Sequence, residues 1–327
     1  MDSAIYNSVD KFIIGIRGNR LFVCNPTTGA VVNQLDIGPW ASGKSSIAYD
    51  AASNRIYAAP WNVPQMPLSG GVQIGTRSIY RLHSSSGVLS LDQTLDVGTL
   101  LATTVGFYPS IELGVTAMDS GNGFIFCRYQ TVSNTFKISA STMSFTANNP
   151  VAGSVINASE GMIGGWHHVG YAHIGTDDWL FSPDPGGGPE VVFFDYTTQL
   201  ESVFQIPNPG TVLAVGADPN NHVYVTDVAQ LIYVYRPNGD RSTATLLNTI
   251  NTGHTAFSGV SVRRNPTDGF MYVAGAEDNS VAVINTTGSG SLVGGAVIGG
   301  FDQPIDFVFT PTARFAVQAG AVPLKSF

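Results

Sequence analysis

Charge is scarce in this chain, and positive charge is the scarcest. Only 12% of the 327 residues are charged, and 15 Lys and Arg face 23 Asp and Glu, which gives a formal net charge of −8 at pH 7. A protein that binds nucleic acid usually presents a basic face to the phosphates, and so few cationic side chains in an acidic chain do not supply one. Nucleic acid is therefore not an expected partner, and the surface is predicted to be polar mainly through hydroxyl, amide and backbone groups.

Long apolar runs and cysteines are also few. No uninterrupted hydrophobic stretch approaches the roughly 20 residues that cross a bilayer, so membrane insertion is not expected. The opening MDSAIYNSVDKF has neither the basic nor the apolar region of a secretory signal, which predicts no classical export. Cys24 and Cys127 are too few for a disulfide framework and lie in apolar runs, so both are expected to be buried, reduced thiols.

Repetition is the strongest signal in the sequence. A short ending of the LDIG type recurs and closes at residues 38, 98, 153, 208, 253 and 300, at intervals of 45 to 60 residues. Each interval contains four short runs of β-branched or aromatic residues bounded by Gly, Pro, Asn or Asp. No stretch shows the apolar period of a capped helix. Because such intervals with four strands each are typical of propeller blades, the sequence predicts an all-β fold, a β-propeller of four-stranded antiparallel blades.

The four runs are called A to D in chain order. Segment A is predicted at residues 45–50, 105–109, 215–219, 260–266 and 305–311. Segment B follows a turn later, at residues 55–60, 124–128, 222–227, 270–275 and 314–320. Segments C and D form a hairpin, which is clearest in RLFVCNPTTGAVVNQLDIG, residues 20–38. The first unit uses residues 4–7 as A and 11–16 as B.

Two of the B segments carry a resemblance to a known family. HVYVTD at residues 222–227 and FMYVAG at residues 270–275 are each followed by a VxVI-like strand, a turn that ends in Gly and an I-x-x-G ending. This pattern resembles the YVTN-type repeat family, whose units form the blades of a seven-bladed propeller. The resemblance covers most of the chain and is best from about residue 211 to residue 300. It implies the fold and leaves the activity open, since one fold hosts many functions.

The repeat boundaries predict one β-propeller domain over residues 1–327. The blade units are expected at about residues 1–38, 39–98, 99–153, 154–208, 209–253 and 254–300, with a partial unit at 301–327. Seven blades are favoured. In a six-bladed alternative, the last strands pair with the N-terminal blade and leave no free sheet edge.

Motifs for catalysis, metals and cofactors are not found. The sequence has no G-x-S-x-G pentad, no Walker A loop and no Cys/His cluster with zinc spacing, so no catalytic residue, metal site or cofactor is assigned. Three histidines crowd into residues 166–173, where structural roles at loops and strand ends are favoured over a metal site. Carboxylates at blade turns usually bond backbone amides, and this structural role is favoured for the five nearest the predicted inner strands: Glu112, Asp119, Glu160, Asp218 and Asp306.

The tryptophans indicate one candidate binding surface. In a propeller, the D-to-A connections and the B–C loops open on one face, called the D–A/B–C rim below. Three of the four tryptophans and two histidines beside them map to it: Trp40, Trp61, Trp166, His167 and His168. His254 and the glycine-rich loop at residues 182–190 map there too. Exposed aromatics with polar neighbours favour docking of a protein or a glycan, and packing between blades is the alternative for the tryptophans.

The sequence favours a non-enzymatic binding, docking or structural module that engages a protein partner or a surface glycan, with a larger assembly left open. Only four lysines occur, and such a hydroxyl-rich surface resembles that of a surface-exposed protein or phage virion component. A virion protein made in the cytosol would also need no signal peptide, and a cytoplasmic location is the alternative. Two other functions stay open: a propeller hydrolase or lyase at the channel mouth, and an intracellular protein-interaction scaffold.

Overall fold

Strands and tight turns make up nearly all of the structure. The computed structural model describes residues 1–37, 45–60, 78–96, 113–119, 123–129, 135–145, 170–174, 177–183, 190–195, 200–206, 212–227, 230–239, 241–254, 259–319 and 324–327. Within these ranges the one helical element is a 3₁₀ turn, Val293–Gly295. No helix in this part of the chain has the length and apolar character needed to cross a membrane. The prediction of an all-β fold is confirmed.

The chain divides into two compact units, Met1–Pro150 and Val151–Phe327. The first unit contains three four-stranded antiparallel sheets. Sheet 1 consists of β1 (Ser3–Asn7), β2 (Phe12–Arg17), β3 (Arg20–Cys24) and β4 (Val31–Asp36). Sheet 2 consists of β5 (Ser45–Asp50), β6 (Arg55–Pro60), β7 (Ser78–Ser85) and β8 (Val88–Asp96). Sheet 3 consists of β9 (Leu113–Asp119), β10 (Phe124–Tyr129), β11 (Thr135–Ser139) and β12 (Ser144–Phe145).

The second unit contains three further four-stranded sheets and one of three strands. Sheet 4 consists of β13 (Gly170–Ile174), β14 (Asp177–Pro183), β15 (Glu190–Asp195) and β16 (Leu200–Gln205). Sheet 5 consists of β17 (Val212–Ala217), β18 (Val223–Asp227), β19 (Leu231–Pro237) and β20 (Ala244–Asn251). Sheet 6 consists of β21 (Gly259–Arg264), β22 (Met271–Gly275), β23 (Ser280–Asn285) and β24 (Ser291–Leu292). Sheet 7 consists of β25 (Pro304–Phe309), β26 (Arg314–Gln318) and β27 (Lys325–Ser326).

Every sheet is a meander in which strands adjacent in sequence are also adjacent in space. This is the arrangement expected of segments A to D, and the prediction of four-stranded antiparallel blades is confirmed. The described residues form seven sheets, as seven blades would require. The closure of these sheets into one ring stays a prediction.

One predicted strand is wrong. Residues 105–109 were expected to form segment A of the third unit, but the strand that pairs with β10 is β9, from Leu113 to Asp119. Residues 105–109 lie outside the described part of the chain. The proline at position 109 resembles the strand ends of other units, yet it lies 15 residues before Phe124, too far for the short A–B turn seen elsewhere. The actual strand, LGVTAMD, is poorer in aromatic and β-branched residues and gives a weaker strand signal.

The core lies between the faces of neighbouring sheets. The second strands are the most buried, and every residue of β18 and β22 is buried. In the first unit, side chains of sheets 1 and 2 form one hydrophobic cluster, with Ile14, Val23, Ile56 and Leu82 at 0% exposure. In the second unit, sheets 5 and 6 share a cluster that includes Tyr224, Val234, Met271 and Ile284. Strands buried on both faces explain the continuous apolar runs that mark segment B in the sequence.

The turns between the first and second strands share one type of side-chain to backbone hydrogen bond. In five sheets the residue at or just after the end of the first strand accepts hydrogen bonds from backbone N–H groups two to four residues further on: Asn7, Asp50, Asp218, Asn265 and Thr310. Side chains of this kind stabilise a tight turn by replacing a backbone acceptor. The Asn, Asp and Thr residues that bound the repeats in sequence therefore have a structural role at this end of the sheets.

Four buried tyrosines predict the response of the protein to alkaline pH. Burial raises the pKa of Tyr57 to about 12, and it also raises the pKa values of Tyr224, Tyr235 and Tyr272. The same groups ionise near pH 10 in an unfolded chain. Their contribution to stability is therefore complete below about pH 10 and is lost as the pH rises towards the native pKa values. We expect these four tyrosines to ionise above about pH 10, in the same transition in which the β-sheet circular dichroism is lost.

Independent titration would contradict this expectation. If all 12 tyrosines ionised near pH 10 while the circular dichroism stayed native, the four side chains would not be buried as described. The variant Tyr57→Phe removes one of the four groups, so its alkaline midpoint is expected to lie slightly higher than that of the wild type.

Candidate functional site

The meander topology gathers the second-to-third and fourth-to-first connections at one end of each sheet. This end corresponds to the D–A/B–C rim predicted from the sequence. The five residues proposed there as binding residues, Trp40, Trp61, Trp166, His167 and His168, lie outside the described residues. Their placement on the rim stays a prediction. His254, which the sequence maps to the same rim, is described.

A recurring backbone contact joins neighbouring connections at this end of individual sheets. In three sheets a residue that follows the outer strand donates its N–H to the carbonyl of a residue in the B–C loop: Ile37 to Asn19, Thr252 to Gln230 and Phe301 to Asn279. The N···O distances are 2.8, 3.5 and 3.1 Å. Gln230 and Asn279 adopt left-handed backbone conformations, with φ of 68° and 58°. In these three sheets the connections at this end therefore have a defined backbone.

His254 carries the most specific side-chain geometry on the rim. Its Nδ1 atom lies 2.8 Å from Oδ2 of Asp278, in the B–C loop of sheet 6. The side chain of Asp278 is only 8% exposed, whereas that of His254 is 43% exposed. This close approach does not have hydrogen-bond geometry, and Oδ2 of Asp278 has no hydrogen-bond partner among the described residues. Oδ1 of Asp278 accepts a hydrogen bond of 2.7 Å from the hydroxyl of the fully buried Ser280.

The order of these three side chains decides what they can do chemically. In a serine–histidine–aspartate relay, the imidazole stands between the hydroxyl and the carboxylate and removes the serine proton. Here the carboxylate of Asp278 stands between Ser280 and His254, and the hydroxyl of Ser280 is buried. The arrangement therefore does not activate the serine, and it leaves an exposed imidazole next to a carboxylate. Such a pair of polar groups is suited to contact with a partner.

The loops on either side of His254 and Asp278 are anchored as well. Asn279 accepts a hydrogen bond of 2.8 Å on Oδ1 from the N–H of Gln303, in the connection to sheet 7. The carbonyl of Gln303 in turn accepts a bond of 3.0 Å from the N–H of Ala319. Asn279 and Gln303 are themselves exposed, as is Glu277. This part of the rim therefore presents amide and carboxylate groups from a fixed backbone.

Asp278 is the rim residue that sequence reasoning missed. His254 could be placed because it follows the INTG ending at residues 250–253. Asp278 lies in the turn after FMYVAG, where an acidic residue is ordinary turn chemistry. Its pairing with His254 depends on two neighbouring loops meeting in space, and no sequence pattern records that meeting.

Asp218, one of the five carboxylates near the predicted inner strands, binds groups in and beside its own turn. Its side-chain oxygens accept four hydrogen bonds, two from the backbone N–H groups of Asn220 and His222 and two from the His222 ring and the Tyr224 hydroxyl. Asp218 is 2% exposed. Arg236 donates to Nε2 of His222 at 3.1 Å, and because a guanidinium can only donate, the ring proton lies on Nδ1 and points to Asp218. This chain of contacts is closed within sheet 5.

Asp306, a second of these carboxylates, joins two sheets. It is 1% exposed and accepts bonds from the Ser261 hydroxyl at 3.1 Å and from Nε of Arg263 at 2.9 Å. The negative charge of Asp306 raises the pKa of the Arg263 guanidinium. The pair links the first strands of sheets 6 and 7. Glu112 and Glu160 lie outside the described residues, as does the side chain of Asp119.

Within the residues whose positions are described, no three His, Cys, Asp or Glu side chains converge on one point where a metal ion could bind. His167 and His168 are not among these residues. Cys24 is a buried free thiol, and burial raises its pKa to about 12, so it remains protonated at neutral pH. The side chain of Cys127 is outside the described part.

Comparison with solved structures identifies the architecture. The chain matches the β-propeller domain of Myceliophteria thermophila Cps50 (Swd1) with a TM-score of 0.62 over 98% of this chain and 93% of that one, at 10% sequence identity. The fold is a β-propeller. A chain of the mitotic checkpoint complex matches the propeller with a TM-score of 0.63 at 12% identity, over 100% of this chain and 86% of that one.

The other two comparisons found no relative. No protein-family model matches the propeller, and no curated protein matches it. At 10% and 12% identity, the structural matches establish the fold alone. The resemblance to YVTN-type repeats therefore rests on the residues quoted from the sequence.

Proposed function

We propose that this propeller is a non-enzymatic docking module that binds a protein partner through the D–A/B–C rim. The observation that carries the proposal is the exposed imidazole of His254, whose Nδ1 atom lies 2.8 Å from the Asp278 carboxylate beside a loop with an anchored backbone. Binding surfaces gain affinity when their polar groups are already ordered before the partner arrives. The predicted tryptophans of the same rim would supply the apolar anchors of such a surface.

The burial and hydrogen bonding of the described carboxylates support a binding function over hydrolysis. Asp218 and Asp306 are each saturated by hydrogen bonds and buried, so neither reaches a substrate at a channel mouth. The paired carboxylates of a glycoside hydrolase must face the bond they cleave. A hydrolase would therefore need acidic residues other than these two.

The setting proposed for the module is a larger assembly. One structural neighbour is a chain of the mitotic checkpoint complex, so the fold is used within a multiprotein assembly in that case. The finer form of the proposal, a YVTN-type propeller on a virion or another exposed surface that meets a protein or glycan receptor, is supported by the scarcity of lysine and the quoted repeats. A cytoplasmic scaffold is the alternative setting.

Alanine substitution on the rim tests the proposal. We expect Trp61→Ala, Trp166→Ala and His254→Ala each to abolish or strongly weaken capture of the partner from the source extract, while the thermal midpoint of unfolding stays near that of the wild type. Thr287→Ala is the matched control, because Thr287 is exposed at the opposite end of sheet 6. It should leave capture unchanged.

A structural role of the tryptophans would give a different result. A tryptophan packed between blades would cost about 3–5 kcal/mol of stability when truncated to alanine. If Trp61→Ala and Trp166→Ala lower stability by this amount, and His254→Ala leaves capture intact, the D–A/B–C rim is not the docking surface.

A further inference from the structure

The outer strand of sheet 5, β20, differs from the outer strands of the other sheets. It is eight residues long, ATLLNTIN, and contains no charged residue and no proline. Native proteins usually keep an edge strand from pairing with other chains by making it short or by placing charges or proline in it. Among the described sheets, β12 and β24 have only two residues each, and the other outer strands carry charged residues: Asp36 in β4, Asp92 and Asp96 in β8, Glu201 in β16 and Lys325 in β27.

The free edge of β20 is accessible. Within the described residues, no strand pairs with β20 on the side away from β19. The side chains of Thr245, Leu246, Thr249 and Asn251 are exposed, and that of Leu246 is 41% exposed. A long edge that is neither charged nor covered is a template on which another strand can pair.

The hydrogen bonds at the two ends of β20 show which of its backbone groups face outwards. The N–H of Thr252 donates to the carbonyl of Gln230 at 3.5 Å, and the carbonyl of Thr243 accepts from the N–H of Asn238 at 3.0 Å. In an antiparallel pair, residues that bond to the neighbouring strand alternate with residues that do not. Counted inwards from each end, the backbone groups that point away from β19 are those of Ala244, Leu246, Thr249 and Asn251.

A β-bulge in the middle of β20 separates these positions into two groups. Val234 pairs with Asn248 and Tyr235 pairs with Leu246, so Leu247 has no residue opposite it. The bulge inserts one residue and shifts the alternation by one position. As a result, the outward-facing positions lie symmetrically about the point midway between Leu247 and Asn248.

We infer that two copies of the chain associate through β20, which pairs antiparallel with β20 of the second copy about a two-fold axis. The axis passes between Leu247 and Asn248. Leu246 then lies opposite Thr249 of the second copy, and Ala244 lies opposite Asn251, so outward N–H and C=O groups meet outward groups of the other strand. The contact covers the exposed side chain of Leu246 and joins the two copies of sheet 5 into one continuous sheet.

Charge favours a second copy as the occupant of this edge. In a two-fold pairing a strand meets itself, so any charged residue in it approaches the same charge on the other strand. In a chain of net charge −8, β20 has no such residue. The one charged residue of β19, Arg236, donates to Nε2 of His222 within sheet 5. A strand of a different protein would require neither the symmetric positions nor the absence of charge.

Contacts with sheet 6 order the strand before a second copy arrives. Nδ2 of Asn248 donates to the carbonyl of Gly290 at 2.7 Å, in the turn between the third and fourth strands of sheet 6. Leu247 packs against the hydrophobic cluster that sheets 5 and 6 share. An edge that is already ordered loses less conformational freedom when it pairs. The contact is one strand wide, so the dimer is expected to be reversible and to depend on concentration.

Sedimentation velocity of the purified full chain tests the inference over a range of concentrations. We expect an equilibrium between a monomer and a species of twice its mass. Leu246→Lys and Thr249→Glu each place like charges on both sides of the two-fold axis and should weaken the dimer at least about tenfold. The double variant Leu246→Lys/Thr249→Glu should recover most of the association, because each introduced lysine then lies opposite an introduced glutamate of the other copy.

Leu91→Lys is the matched control. Leu91 is 50% exposed and lies beside the bulge of β8, as Leu246 lies beside the bulge of β20. This substitution should change the dissociation constant of the dimer by less than about twofold. Thermal unfolding of each variant shows whether the fold is retained. Since no other protein is present, the result does not depend on the proposed docking function of the rim.

Three results would overturn the inference. The chain could remain monomeric at concentrations up to about 1 mM. Leu246→Lys and Leu91→Lys could weaken association equally, which would place the contact elsewhere. The double variant could associate no better than either single variant, which would exclude the pairing of Leu246 with Thr249.

Discussion

Replacing Arg263 by alanine is expected to lower the free energy of unfolding by about 3 kcal/mol, because the substitution leaves Asp306 buried without its counter-ion. Asp306 is 1% exposed and receives two bonds from the Arg263 guanidinium, at 2.9 and 3.3 Å. The Ser261 hydroxyl is neutral and does not replace the lost positive charge. Because the Arg263 side chain is 36% exposed, water can partly replace the guanidinium, and the expected cost lies at the lower end of values for buried pairs.

The neighbouring arginine provides the control. Arg264 is exposed, so Arg264→Ala should change stability by less than about 0.5 kcal/mol when both variants are measured by urea unfolding. The double variant Arg263→Ala/Asp306→Asn removes the uncompensated charge and should recover part of the loss. Equal effects of Arg263→Ala and Arg264→Ala would show that the contact between sheets 6 and 7 does not hold the fold together.

Replacing Asp218 by alanine is expected to cost about 3 kcal/mol of stability. The carboxylate satisfies two backbone N–H groups, the imidazole of His222 and the hydroxyl of Tyr224, all of them in or beside a buried turn. Unsatisfied buried polar groups are costly, and the loss of several acceptor contacts at once falls near the upper end of single-substitution effects. Tyr224→Phe removes only one of these bonds and should cost about 1 kcal/mol.

Asp50 provides a comparison at the equivalent turn of sheet 2. Its carboxylate bonds the N–H of Ala52 at 3.0 Å and the hydroxyl of Ser53, without a histidine. Asp50→Ala should therefore cost less than Asp218→Ala in the same denaturant series. If the two substitutions lower stability equally, the contacts of Asp218 with His222 and Tyr224 contribute no stability beyond that of the turn.

The sequence was most informative where one local rule repeats along the chain. Strands such as VYVTD and MYVAG are short, β-branched and bounded by turn residues, so their presence in a propeller blade could be predicted. The prediction of the first strand in the third unit was wrong because Pro109 resembles the strand ends of other units. The actual strand, Leu113–Asp119, contains fewer residues that favour strands. Local composition alone could not choose between them.

The contacts between side chains were not predictable in the same way. His254 and Asp278 belong to different loops, and Arg263 and Asp306 to different sheets, so each pair is created by packing. The sequence could identify the rim as a candidate surface, and it could not show which polar groups are held there in a fixed geometry.

Site-specific photocrosslinking tests most directly whether the propeller docks a protein through the D–A/B–C rim. A benzophenone amino acid is placed at Glu277, exposed in the B–C loop of sheet 6, or at Thr287, exposed at the opposite end of the same sheet. After irradiation in the source extract, the position at Glu277 should yield one covalent adduct with a defined protein, and the position at Thr287 should not. Adducts of the same protein in equal yield at both positions, or at Thr287 alone, would contradict the proposed rim.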